Sequence, residues 1–139
     1  MKKLITLITA LFIFISSMAS SETVSITDLV IRNDMYYEKF SDEPFTGDTF
    51  DKFNGVGRLE NGKKEGKWVM FWENGQLAFK DHFKEGKKEG ICEGYFKESG
   101  FLWFKEYYVN EELDGIKEVY HRNGQLQYKE TWKNGIPDG

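Results

Sequence analysis

One cysteine, two prolines and two histidines are all that the 139 residues hold of those types. A lone Cys92 excludes an internal disulfide, so stability has to come from packing. Its thiol reads as inert and part-buried rather than reactive. Cys-x-x-Cys, Gly-x-Ser-x-Gly and a phosphate-cradling glycine loop are all missing. His82 and His121 fall in different columns of the repeat described below and form no pair, so each reads as a surface or part-packed side chain. No metal and no cofactor is expected. Positive charge is also short, the formal net charge being −4. That balance argues against nucleic acid, which selects clustered cations. It also argues against holding an anionic membrane by charge alone. Carboxylates are plentiful but sit mainly in turns. A single-layer sheet gives no cleft in which two of them could flank a glycosidic bond at about 5–10 Å. An enzyme is therefore not expected.

Long apolar runs are missing too, apart from Leu4 to Ile15. The basic pair Lys2-Lys3 precedes that run, and Ser17-Met18-Ala19 follows with the small residues a signal peptidase reads. A membrane span needs about twenty apolar residues, more than this run has. Residues 1–19 read as a cleaved signal peptide, and no Cys follows to carry a lipid. The chain is expected to be exported, periplasmic or extracellular, with no membrane span after cleavage. Losing Lys2 and Lys3 leaves it more acidic still.

Aromatics, by contrast, make up 17% of the chain. Each can bury about 150–250 Å², so even a thin sheet can gather apolar area. They recur in register. Boundary glycines Gly66, Gly90, Gly115 and Gly139 are spaced 24, 25 and 24 residues apart. Asn74-Gly75, Ser99-Gly100 and Asn123-Gly124 coincide, as do Leu77, Leu102 and Leu126. So do Phe79, Phe104 and Tyr128, then Phe83, Tyr108 and Trp132, and the lysines Lys80, Lys105 and Lys129. An acid precedes each boundary glycine: Glu65, Glu89, Asp114 and Asp138. The middle unit has an extra residue, placed between Gly90 and Tyr95, and carries Glu111 where Gly86 and Gly135 stand.

Each unit reads as a β-hairpin, because Asn-Gly between apolar runs favours a two-residue type I′ turn. With Asn74-Gly75 as the loop, Trp72 faces Leu77, Phe71 faces Ala78, Met70 faces Phe79, Val69 faces Lys80 and Trp68 faces Asp81. Lys84 to Gly90 reads as the turn into the next hairpin. The expected fold is all-β: tandem antiparallel hairpin repeats of 24–25 residues forming one elongated twisted sheet. Residues 47–139 form the repeats. Residues 22–46 form an N-terminal hairpin cap, with Leu29 to Arg32 and Met35 to Phe40 as strands about Asn33-Asp34.

The pattern of boundary glycine, aromatic, Asn-Gly-x-Leu, Lys, aromatic and acid-Gly resembles the MORN family, specifically its bacterial variant. The resemblance covers roughly Gly62 to Gly139, with an earlier degenerate unit from Gly47. It implies successive hairpins in an elongated antiparallel sheet and an interaction module. It also implies, as an alternative, an antitoxin-like binding protein.

Alternation assigns the two faces. Met70, Tyr95 and Val119, with the Leu77 and Phe79 columns, are expected to form the core. Phe71, Phe96 and Tyr120 share the other face with Ala78, Trp103 and Gln127 and with Lys80, Lys105 and Lys129. Two readings stand for that face. Each lysine can stack on the aromatics of its own hairpin. Alternatively, Phe71, Lys80, Phe96, Trp103, Lys105, Tyr120 and Lys129 form a binding face. The expected function is a non-enzymatic module for protein–protein interaction in the bacterial envelope or outside the cell, its partner unidentified. The alternative is a carbohydrate-binding module of the cell envelope, since Trp68-Val69-Met70-Phe71-Trp72 is similar to choline-type wall-binding repeats. Those lack the lysine-acid-glycine turn.

Overall fold

The computed structural model describes residues 22–139. The expected signal segment lies outside the described residues. The chain is a single antiparallel meander with one parallel exception at its start. Strand β1 (Glu22–Val24) leads through a short 3-10 turn (Ile26–Asp28) into a hairpin of β2 (Leu29–Arg32) and β3 (Met35–Glu38). Then come β4 (Gly47–Asp51), β5 (Gly55–Glu60), β6 (Lys63–Phe71) and β7 (Leu77–Lys84). The remaining strands are β8 (Lys87–Lys88), β9 (Gly90–Tyr95), β10 (Leu102–Val109), β11 (Glu112–Leu113), β12 (Gly115–Tyr120), β13 (Leu126–Lys133) and β14 (Ile136–Pro137). All but β2 and β3 join one large sheet, in which β1 lies parallel to β4 and every other pair is antiparallel.

The two edges of the sheet turn in different ways. At one edge, Asn61-Gly62, Glu85-Gly86, Asn110-Glu111 and Asn134-Gly135 have positive φ at both residues, the type I′ signature. At the other edge, Trp72 N–H bonds Gln76 O and Gly75 N–H bonds Trp72 O. The loop is therefore Glu73-Asn74-Gly75, a type I turn closed by a left-handed glycine, not a two-residue turn. Its longer path slips the register. Met70↔Phe79, Val69↔Lys80 and Trp68↔Asp81 pair as expected, but Phe71 pairs with Leu77 and Ala78 is bulged out. The same bulge falls on Trp103 and on Gln127.

The extra residue of the middle unit also sits elsewhere than expected. Gly66, Gly90 and Gly115 pair with Phe83, Tyr108 and Trp132, and Phe71, Tyr95 and Tyr120 pair with Leu77, Leu102 and Leu126. Counting is thus equal up to the turn, and the insertion lies in the loop between Phe96 and Phe101, whose N–H and C=O close it. Tyr95 therefore belongs with Phe71 and Tyr120, while Phe96 belongs with Trp72. The expected columns mixed these two.

Two of the acid–glycine pairs, Glu89-Gly90 and Asp114-Gly115, are bulges and not turns, while Glu65 stays paired with Arg58. Lys80 pairs with Glu93 but Phe83 pairs with Lys88, so Glu89-Gly90 stands out of the ladder. The acid then reaches one hairpin onward. Glu65 Oε2 accepts Glu85 N–H at 2.7 Å, Glu89 Oε2 accepts Asn110 N–H at 2.7 Å, and Asp114 Oδ2 accepts Asn134 N–H at 3.4 Å. Thr46 Oγ1 does the same for Asn61 at 2.9 Å. Each of these side chains thereby ties the next turn to the sheet, which explains why an acid recurs there.

The core gathers at the N-terminal end. Ile26, Leu29, Phe45, Leu59 and Trp68 form its buried cluster, with Val24, Tyr36 and Phe83 packed against it. Trp68 lies flat on the backbone of β5, where a Cβ on Gly57 would come within 2.5 Å of the ring. The β2–β3 hairpin is held over this end by Tyr36 N–H to Gly62 O and by Phe45 N–H to Tyr36 O. The leucine and Phe79 columns are not a core throughout. Leu126 is 50% exposed and Tyr128 is 40% exposed, because among the described residues no second layer covers the C-terminal hairpins.

Candidate interaction surface

Pairing register places Val69, Lys80, Glu93, Lys105, Glu118 and Lys129 in one row, crossing β6, β7, β9, β10, β12 and β13 on a single face. From Lys80 onward the row alternates in sign. Lys80 Nζ lies 3.2 Å from Glu93 Oε2, Lys105 Nζ lies 3.9 Å from Glu93 Oε1, and Lys129 Nζ lies 2.9 Å from Glu118 Oε1. The tyrosines two residues along each strand complete it. Tyr95 and Tyr120 donate to Glu93 at 2.7 Å and to Glu118 at 2.9 Å, and Lys80 Nζ donates to Tyr95 Oη at 3.0 Å. Lysine and aromatic do meet by stacking, with Lys80 Nζ 5.4 Å from the Tyr95 ring centre, but across strands rather than within one hairpin.

Electrostatics follows from these contacts. Burial pushes the Glu93 carboxyl up, but hydrogen bonds from Tyr95 and Lys80 outweigh it and hold it below the ordinary carboxylate range. Hydrogen bonds from Lys129 and Tyr120 hold Glu118 low as well. The bonds to Tyr95 and Glu93 raise the Lys80 ammonium. The row is thus a ladder of paired groups, three lysines against two glutamates.

Beside the ladder on the same face lies a row of different character. Ile91 pairs with Tyr107, and Ile116 continues the line on β12. Ile91, Tyr107 and Ile116 are 48%, 43% and 46% exposed. Together with Lys105 and Glu118 they line a shallow trough of about 460 Å³, with Gly115 tucked under the Tyr107 ring.

The opposite face is partly covered. Toward its N-terminal end Trp68 and Phe83 lie in or against the capped core. Further along, Asp81 pairs with Lys88 at 3.3 Å and Glu106 with Lys117 at 3.0 Å. Between them sits Cys92, fully buried, its thiol pushed up to about 11 by burial. A thiol held protonated there is inert, as its sequence context suggested.

Of the seven binding residues read from the sequence, the structure brings Phe71, Lys80, Lys105, Tyr120 and Lys129 to the ladder face. Phe96 and Trp103 are not with them. The bulge at Trp103 and the longer loop turn both to the other face, where their rings meet at 5.9 Å. Sequence reasoning missed Glu93, Tyr95, Glu118 and the row Ile91, Tyr107 and Ile116. A signal for these pairs was present: Glu-x-Tyr occurs at Glu93 and Glu118 on the ladder and at Glu106 on the opposite face, and in each case the tyrosine hydroxyl bonds the glutamate two residues before it.

A family model described as MORN repeat variant matches residues 64–85 and 113–134. The matched stretches correspond to the first and third hairpins of the repeat and flank the middle unit. No curated protein matches the chain.

Proposed function

We propose that the chain is a non-enzymatic protein-binding module, exported to the envelope or beyond, that holds its partner on the ladder face; its two stretches similar to the MORN repeat variant, generally a module of protein or membrane interaction, support this reading. The observation that carries this is the exposed row Ile91, Tyr107 and Ile116 lying against a ladder whose charges are already paired. Burying paired charges gains little, so the ladder supplies register and rejects mismatched surfaces. The apolar row supplies the energy, with Tyr107 of the residue type that dominates interfaces. No helix among the described residues is long and apolar enough to cross a membrane.

Capture from a native envelope extract tests the face. Tyr107→Ala, and separately the double change Ile91→Lys with Ile116→Lys, should each cost the captured partner about 2 kcal/mol or more. Changing all three ladder lysines to Ala is a poorer probe, since it leaves Glu93 and Glu118 unpaired and lowers stability along with binding. Capture that survives both changes in the apolar row sinks the proposal. Export is tested by intact mass, which should place the mature N-terminus near Ser20; a mature chain that keeps Met1 overturns it.

A further inference from the structure

The middle hairpin departs from its two neighbours at several places that converge on one spot. Its loop closes between Phe96 and Phe101, with Gly100 N–H reaching Phe96 O, and so is longer than Glu73-Asn74-Gly75 or Arg122-Asn123-Gly124. Its bulged residue is Trp103, where the neighbours bulge Ala78 and Gln127. Bulges re-aim side chains, and this one sets the indole 5.9 Å from Phe96 and 5.3 Å from Phe104. The rings continue through Phe79 to Trp72, at 6.3 and 5.8 Å. Trp103 remains 42% exposed. Trp68, Trp72 and Trp132 give their indole N–H to Arg58 O, Tyr95 O and Glu130 Oε2. Trp103 has no such acceptor within the described residues.

Trp72, Phe96 and Trp103 floor a shallow depression of about 240 Å³, rimmed by Lys97, Glu98 and Arg122. The rim is paired: Lys97 with Glu73 at 3.5 Å and Arg122 with Glu98 at 3.5 Å. We propose that this depression is a binding subsite for a neutral carbohydrate, with a pyranose ring stacked on Trp103. A sugar ring has an apolar C–H face and a polar hydroxyl edge. An exposed indole beside other rings takes the face. The planar carboxylate of Glu98 and guanidinium of Arg122 take adjacent hydroxyls. A rim without net charge selects a neutral ligand over an acidic or basic one. An extended peptide adding as a strand finds no opening, because Tyr95 and Leu102 already pair with each other. The subsite lies on the opposite face from the ladder, so it stands or falls apart from the protein-binding reading.

The test titrates the protein with cellohexaose, maltohexaose and hexa-N-acetylchitohexaose, all neutral, following tryptophan emission and saturation transfer to sugar C–H protons. At least one should bind saturably, and salt at about 0.5 M should leave its affinity unchanged because no net charge is screened. Trp103→Ala should weaken it by about tenfold or more. Arg122→Met, which leaves the rings in place, should weaken it by about threefold to tenfold. Trp132→Ala should leave it unchanged. Binding by none of the three sugars at about 10 mM overturns the proposal. So does equal affinity in the Trp103→Ala and Arg122→Met variants, or saturable binding of a proline-rich decapeptide at Trp103 in place of sugar.

Discussion

Glu111 occupies a position that its sister turns give to glycine. Its φ is +75°, matching Gly62 at +75°, Gly86 at +84° and Gly135 at +73°. An L residue with a side chain pays about 1–2 kcal/mol in that region. Glu111→Gly should therefore stabilise the protein by about 1 kcal/mol in a thermal melt, even though it removes a side chain. The mirror change, Gly75→Ala at φ +83°, puts its Cβ in open space, so whatever it costs is backbone strain alone. A lowered Tm for Glu111→Gly would show that this turn is not the type I′ turn of its neighbours. The sequence marked Glu111 as a departure from the column. It could not say that the departure stores strain, because φ is fixed by the pairing on either side.

At the scale of hairpins, element type and body register were legible, and loop closure was not. Asn-Gly suits two kinds of hairpin turn, and only the hydrogen bonds of Trp72 and Gly75 separate them. That ambiguity shifted one residue at each turn and moved Trp103 to the other face, while Phe96 moved because the extra residue of the middle unit lies after it in the loop and not before Tyr95. Beyond each turn the bulge restores register, so Val69 and Lys80 still meet as expected. The strand-to-strand ladder makes a pH prediction. Glu93 and Glu118 titrate below their ordinary range, so their contribution is present above the unfolded value of about 4.3 and is lost as pH falls through the folded pKa. Lys80 of the ladder, and Lys117 beside Glu106 on the opposite face, titrate above their ordinary range. Their contribution is full below about 10.4 and is lost as pH rises through the folded pKa. Melting temperature should hold a plateau between about pH 5 and pH 10 and fall on both sides. Glu93→Gln should lower the plateau and flatten the acid limb. An acid limb that stays as steep in that variant would remove the ladder from the account of stability.

Across the whole molecule, stability should run downhill from the N-terminal end. The capped end has two layers: Trp68 is buried against Ile26, Leu29, Phe45 and Leu59, and the β2–β3 hairpin closes over it. The hairpin of β12 and β13 has one layer, and every residue of β13 except Trp132 is exposed. In a linear array of repeats each unit leans only on its neighbours, so local opening is cheapest where least is buried. Amide exchange should be slowest in β5 and β6, intermediate in β7 to β10, and fastest in β12 and β13. Point changes should follow the same order. Trp68→Ala removes a buried ring and should cost about 3–5 kcal/mol, unfolding the array from its anchored end. Tyr128→Ala removes a half-exposed ring and should cost well under about 2 kcal/mol, speeding exchange in β12 and β13 while leaving β5 and β6 protected. If exchange is instead uniform along the meander, the sheet opens as one cooperative unit and the acid-to-turn bonds couple its hairpins more strongly than burial separates them.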